Sequence, residues 1–140
     1  MSMDKELLET SLALVDLPDD GLTVRFYDKL FELHPEVAPM FGRDTRQQAS
    51  MLRTAVISVL DHLDDAAWLT STLGSLGRRH ADWGVTEPMY GIVAEVLVAT
   101  MAEIGADAWT DEMSEAWTQA LTAVAGLMLA GYPESAEGAA

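Results

Sequence analysis

The chain has 140 residues, 49% of them hydrophobic and 22% charged, enough for one domain with a sizeable core and too apolar for a disordered segment. It has no cysteine, which excludes disulfides, cysteine-bound zinc, iron–sulfur clusters and any thiolate-ligated metal. A net charge of −15 excludes the basic surface that a nucleic-acid partner needs, and the charge is uneven, because all eight Lys and Arg lie in residues 1–80.

Leu7, Leu8, Ser11, Leu12, Leu14 and Val15 recur at helical spacing, which predicts a first helix over about residues 3–16. Pro18-Asp19-Asp20-Gly21 breaks it. Leu22, Phe26, Tyr27, Leu30, Phe31 and Leu33 line one face of a second helix, which His34-Pro35 ends because the residue before proline is pushed out of the helical region. Pro35 then opens a short helical turn towards Pro39, and Phe41-Gly42-Arg43-Asp44 reads as a loop. Gln48, Met51, Leu52, Ala55, Val56, Val59, Leu60 and Leu63 give a third helix. Asp64-Asp65 can cap a fourth, running from about Ala66 to His80. Thr86-Glu87-Pro88 is a helix start, and the fifth helix continues through Tyr90, Val93, Val96, Leu97, Met101 and Ile104 until Gly105-Ala106-Asp107. Thr110-Asp111-Glu112 starts the last, with Trp117, Leu121, Val124 and Met128 on its buried stripe.

No segment alternates with period two, and no internal repeat or long linker appears. The expectation is one all-α domain over residues 1–132 and a short flexible tail over 133–140, with crossed layers and a bundle both open. No window holds 18 uncharged apolar residues, and Asp4, Lys5 and Glu6 stand where a signal peptide would be apolar, so no membrane association and a cytoplasmic location are expected. Residues 81–140 carry ten acids and no base. That is either a solubilising surface or a face for a basic partner.

The stretch Leu76-Gly77-Arg78-Arg79-His80-Ala81-Asp82-Trp83-Gly84-Val85 concentrates the chemistry. A neutral imidazole at a helix end can ligate a metal if its other nitrogen is held by an acceptor, for which the Leu76 or Gly77 carbonyl is placed. Equally, a lone histidine there can be a half-exposed residue with no ligand role. Arg78 and Arg79 can pair a carboxylate or simply solvate the helix end.

Phe26-Tyr27-Asp28-Lys29-Leu30-Phe31-Glu32-Leu33-His34-Pro35-Glu36-Val37, then Met40-Phe41, Gln48 with Leu52, Leu76 to His80, Gly84-Val85, Tyr90 and Glu115-Ala116-Trp117 follow one another in an order and spacing that resembles the bacterial single-domain globins. These are related to the haemoglobin domain of flavohaemoglobins, and the resemblance covers about residues 5–130. It implies a three-over-three globin fold around haem b (iron protoporphyrin IX), with His80 as the proximal iron ligand. It implies Tyr27 and Gln48 as distal donors to bound gas, with Leu52 and Met51 on the face of Gln48. Which of Gln48 and Met51 lies nearer the iron stays open. Phe41 is implied to pack on the porphyrin, and Leu76, Val85 and Val93 to line it, with Arg79 at a propionate. Tyr90 matches a proximal tyrosine that pairs, in the family, with a late glutamate, a place that counting from Trp117 gives to Tyr132. His34 and His62 are expected at the surface. The implied function is reversible binding of O2, with NO and CO, for oxygen storage, delivery or sensing. The alternative is NO dioxygenation with electrons from a separate reductase. A homodimer would follow if apolar residues of the last two helices were exposed.

Overall fold

The computed structural model describes residues 4–41 and 45–133. Six α-helices lie among them: α1 (Lys5–Val15), α2 (Gly21–Leu33), α3 (Thr45–Asp61), α4 (Ala66–Asp82), α5 (Glu87–Gly105) and α6 (Asp111–Ala130). Short 3-10 turns cover Pro35–Met40 and Ala106–Ala108, and the described residues include no strand. The all-α expectation therefore stands. α1 is shorter at both ends than its periodicity suggested, and α4 runs on past His80. The expected loop at Gly42-Arg43-Asp44 and the tail beyond Pro133 lie outside the described residues.

Local chemistry sets the helix starts. The Asp4 carboxylate accepts from the Leu7 N–H, Asp65 from Trp68 and the Thr110 hydroxyl from Met113, at 3.0, 3.0 and 3.2 Å. Each satisfies a backbone donor that a helix start leaves free. At the end of α5 the left-handed residue is Ala106, at φ 48°, while Gly105 keeps φ −71°. Glycine is needed at 105 for space, since a Cβ there would press on Cβ of Trp109.

The broadest packing joins α4 with α6, followed equally by α2 with α5 and by α5 with α6, while α3 and α4 barely pack. An up-and-down bundle would pair consecutive helices, so the crossed-layer alternative is the one realised. α5 is the central element, packed on α1, α2 and α6, with Val96, Leu97, Thr100 and Met101 buried. Glu87–Ala108 is long and apolar enough, at a mean hydropathy of 1.5, to cross a membrane by length and composition alone, and 28% of it is buried in this fold. Inside the core, Trp117 Nε1–H donates to Ser11 Oγ at 2.7 Å, which ties α6 to α1 and leaves the buried indole satisfied. α4 and α6 touch backbone to backbone. A Cβ at Gly77 would sit on the Met128 carbonyl, and one at Gly131 on the Gly74 carbonyl.

α3 packs mainly on α2 and is held by two polar anchors. Arg53 forks onto Asp16 at the end of α1, both bonds 2.8 Å, and the Thr23 hydroxyl donates to the Ala49 carbonyl at 2.8 Å. α3 and α4 meet near their shared turn, where His62 stacks on Trp68 at 3.7 Å between ring centroids. They have no broad packing along their lengths.

Candidate functional site

Two hydrophobic clusters fill the molecule. The larger joins α1, α2, α3, α5 and α6; the smaller is built on Leu69, Leu73 and Met128. Among the residues expected to line a cofactor, Phe41, Leu52 and Val93 are on the fringe of the first and Leu76 and Tyr90 on the fringe of the second. Each is half-buried. They pack on one side and stay accessible on the other, as side chains do when their second face is shared with a flat apolar group.

His80 is half-buried on the last turns of α4, and its Nδ1 lies 2.9 Å from the Leu76 carbonyl. That acceptor fixes the proton on Nδ1 and leaves Nε2 as a lone-pair donor. Burial is the main influence that lowers the imidazole's proton affinity; the Leu76 carbonyl raises it, and the charge of Arg79 lowers it again. A neutral ring with one oriented nitrogen is the form a metal needs. Among the described residues no three His, Cys, Asp or Glu converge on a metal position. The donor set therefore suits an iron whose other ligands come from a porphyrin, with His80 as the single protein ligand.

The helix exit beyond His80 is tightly closed. Gly84 adopts φ 86°, its N–H donates to the Ala81 carbonyl at 3.0 Å, and the Val85 N–H donates to the His80 carbonyl at 3.0 Å. This pair of bonds is a Schellman cap, and it makes the backbone of His80 one of its two anchors. Trp83 lies beside the imidazole, 5.0 Å between centroids, and is 58% exposed.

Tyr27 is the one expected site residue that is fully buried, at 6% exposure. Its ring packs edge-on against Phe26 at 4.9 Å and Phe41 at 5.3 Å. The hydroxyl makes no hydrogen bond among the described residues, and burial pushes its pKa up to about 12. It is a protonated donor awaiting an acceptor. Gln48 and Leu52 are half-buried, one turn apart on α3, whereas Met51 is 55% exposed. Arg79 is exposed and makes no ion pair among the described residues, as expected of a group free to meet a propionate or water.

Tyr90 lies near-parallel to His80, at 6.2 Å and 27°. Its partner is Tyr132, the residue that counting from Trp117 put in the place of the family glutamate. The two hydroxyls are 2.9 Å apart, and Tyr132 donates to the Val85 carbonyl at 2.8 Å. A phenol has one proton, so Tyr90 is the donor in the pair. The other acid near this position, Glu134, lies outside the described residues.

His34 and His62, expected at the surface, are both partly exposed. His34 lies 3.3 Å from Glu36, and the His62 Nδ1 lies 2.7 Å from the Ser58 carbonyl while the ring stacks on Trp68. A groove of about 320 Å³ between α4 and α6, lined by Ser71, Gly74, Ser75, Arg78, Leu127 and Gly131 among others, holds none of the expected site residues. Sequence reasoning missed the Asp16–Arg53 anchor behind Gln48 and the glycine contacts behind His80. Neither leaves a local signal, since both join residues distant in the chain.

Comparison with known proteins identifies the family and the fold. The sequence model of the family described as Globin matches residues 24–128, well over half of the chain. A flavohemoprotein of Vibrio cholerae is 29% identical over 117 residues, which covers 81% of this chain and 30% of that protein. The chain thus spans under a third of the length of such relatives. Among solved structures, a bacterial globin from Campylobacter jejuni superposes with a TM-score of 0.79 at 20% identity, covering 95% of this chain and 96% of its own. Aplysia limacina myoglobin gives 0.81 at 19% identity, covering 94% and 98%.

Proposed function

The chain belongs to the globin family and is a haem-binding member of it, and on that premise we propose that it holds haem b through His80 and binds O2 reversibly, with NO and CO as further ligands. When bound, haem supplies an iron with an open coordination position for a diatomic gas. The chain's own residues do the rest. The Leu76 carbonyl holds the imidazole neutral and turned, so that Nε2 is offered to the iron. Phe41, Leu52, Leu76, Val85 and Val93 give the porphyrin apolar contact, and Arg79 offers a guanidinium to a propionate. Tyr27, aided by Gln48, would donate a hydrogen bond to the bound gas.

The observation that carries this reading is Tyr27, whose ring is buried in the core while its hydroxyl stays accessible and without a hydrogen bond among the described residues. Such a hydroxyl is free to donate to a ligand that reaches it. The test is oxygen release after flash or mixing. Tyr27→Phe keeps the ring and removes a donor worth about 1–3 kcal/mol, so release should quicken roughly five- to hundredfold. Gln48→Leu should act in the same direction, and the pair less than additively because both address one acceptor. Unchanged release in both variants would move distal stabilisation to another group.

A second reading is NO dioxygenation with electrons from a separate reductase. What favours it is the similarity to a flavohemoprotein and the presence of two distal donors. NO consumption that continues only when a reductase and reduced nicotinamide are added would support it. Slow first-turnover reaction with NO would leave oxygen binding as the function.

A further inference from the structure

The two helices that carry the distal and proximal side chains, α3 with Gln48 and Leu52 and α4 with His80, barely pack on each other. Each is tied to a different part of the molecule. Thr23 holds the α3 backbone at Ala49, and Asp16 holds Arg53, so α3 is fixed to α2 and to the end of α1. α4 rests on α6 through the close contacts at Gly77 and Gly131. The turn over residues 62–65 joins the two, and His62 and Trp68 meet across it. Their rings stack at 3.7 Å between centroids and 9° between planes. Each ring is fixed from its own side. The His62 Nδ1–H donates to the Ser58 carbonyl at 2.7 Å, which locks the imidazole onto the last turn of α3. The Trp68 N–H donates to the Asp65 carboxylate at 3.0 Å, and its side chain packs on the Leu69, Leu73 and Met128 cluster shared by α4 and α6.

We propose that His62 and Trp68 are positioning residues for the haem site: their stack fixes the spacing of α3 and α4 where the two helices join, and so the separation of the distal side chains on α3 from the imidazole on α4. The inference rests on the reading of His80 as the haem ligand and Gln48 as a distal donor. Walls that barely pack on each other need their angle set at an end, and tilting α3 against α4 parts the two stacked faces. The lever is long. His80 lies three turns beyond Trp68 on one helix, about 18 Å along its axis, so a tilt of ~3° about the turn moves the imidazole by roughly 1 Å. A displacement of that size is enough to misplace a ligand or a donor. The other side-chain contact at this turn, Lys5 with Asp64 at 3.9 Å, joins solvent-exposed groups and contributes little.

Four variants separate the stack from its surroundings. His62→Ala removes the ring, while His62→Phe keeps a flat ring and gives up the Ser58 bond. Trp68→Leu removes the aromatic face, and Trp68→Phe keeps one. In haem-loaded protein, transfer of haem to excess apomyoglobin should quicken about two- to tenfold in His62→Ala and Trp68→Leu, the worth of an aromatic pair, and stay within about twofold of wild type in His62→Phe and Trp68→Phe. His62→Ala combined with Trp68→Leu should fall short of the product of the two single effects, since both remove one contact. The infrared C–O stretch of the CO complex, which reports the polar groups around the bound gas, should shift or split in His62→Ala and hold in His62→Phe. A merely structural stack would lower the melting temperature and leave that band in place. An unmoved band in His62→Ala, or haem loss from His62→Phe as fast as from His62→Ala, overturns the proposal; these two variants decide it even if Trp68→Leu fails to fold. Wild-type protein that takes up no haemin sinks the haem reading itself. Amide exchange at Asp65, whose N–H donates to the His62 carbonyl at 2.9 Å, still reports on protein as purified whether the stack ties the turn: it should quicken in His62→Ala and not in His62→Phe.

Discussion

At the scale of single residues, the proximal side is defined by what accepts the Nδ1 proton of His80. A carboxylate there would draw the ring towards imidazolate and strengthen its bond to iron. The acceptor here is the Leu76 carbonyl, and the nearest side-chain network ends in two phenols. Burial, together with the bond between the two hydroxyls, pushes the Tyr90 pKa upward, so this phenol supplies no anion near neutral pH. Resonance Raman of the reduced haem-loaded protein should therefore show an iron–histidine stretch typical of a neutral imidazole. A stretch as high as that of a peroxidase would mean that an acid outside the described residues, with Glu134 the first suspect, reaches the ring.

At the scale of helices, the site depends on anchors that hold α3 and α4 in place from behind. Arg53 and Asp16 fix α3, and the Arg53 fork holds the Asp16 carboxyl below its ordinary pKa of 3.8. A lowered folded-state value means stability that is present above the unfolded pKa and lost as pH falls through the folded one. Arg53→Leu should cost no more than about 1 kcal/mol, since the pair is partly exposed and screened. The difference from wild type in urea melts should be steady above pH 5 or so and shrink below about pH 4. A gap that persists into stronger acid would assign the effect to packing. Behind α4, Gly77→Ala drives a methyl into the Met128 carbonyl and should cost roughly 1–3 kcal/mol or more. A melt like that of wild type would show that α4 and α6 can separate freely. Helix number, order and most boundaries were legible in the sequence because periodicity, prolines and capping side chains act locally: Pro35 ended α2, and Asp65 capped α4. His80, Tyr27 and Tyr132 were singled out by motif order and spacing. The Asp16–Arg53 pair, the stacking of His62 on Trp68 and the glycine contacts were not, because each joins elements whose approach is set by the whole fold. Ala106 is a further case: the helix end at Gly105-Ala106-Asp107 was legible, but not that Ala106, at φ 48°, rather than Gly105, at φ −71°, takes the positive angle.

At the scale of the whole molecule, the chain is a helical scaffold in which one expected site residue, Tyr27, lies buried in the core and the other lining residues remain half-buried at cluster fringes. Filling that seam with a porphyrin adds apolar burial that the protein alone does not have, and a ligand that binds only the folded state stabilises it in proportion to its concentration over Kd. Saturation a hundredfold above Kd should add about 2.7 kcal/mol and raise the melting temperature. The strongly acidic surface is the opposite of a nucleic-acid footprint, and if its basic-free second half docks a reductase, that association should weaken with salt over a Debye length of about 8–10 Å. The central claim is that His80 holds haem iron, and haemin titration of wild type beside His80→Ala, followed by visible absorption, tests it most directly. Wild type should saturate at one haem per chain with a sharp Soret band, while His80→Ala should fail to hold haem stably or recover its spectrum only when imidazole is added. Wild-type-like spectra in His80→Ala would place the iron on another residue, and a wild-type protein that stays colourless would contradict the account altogether.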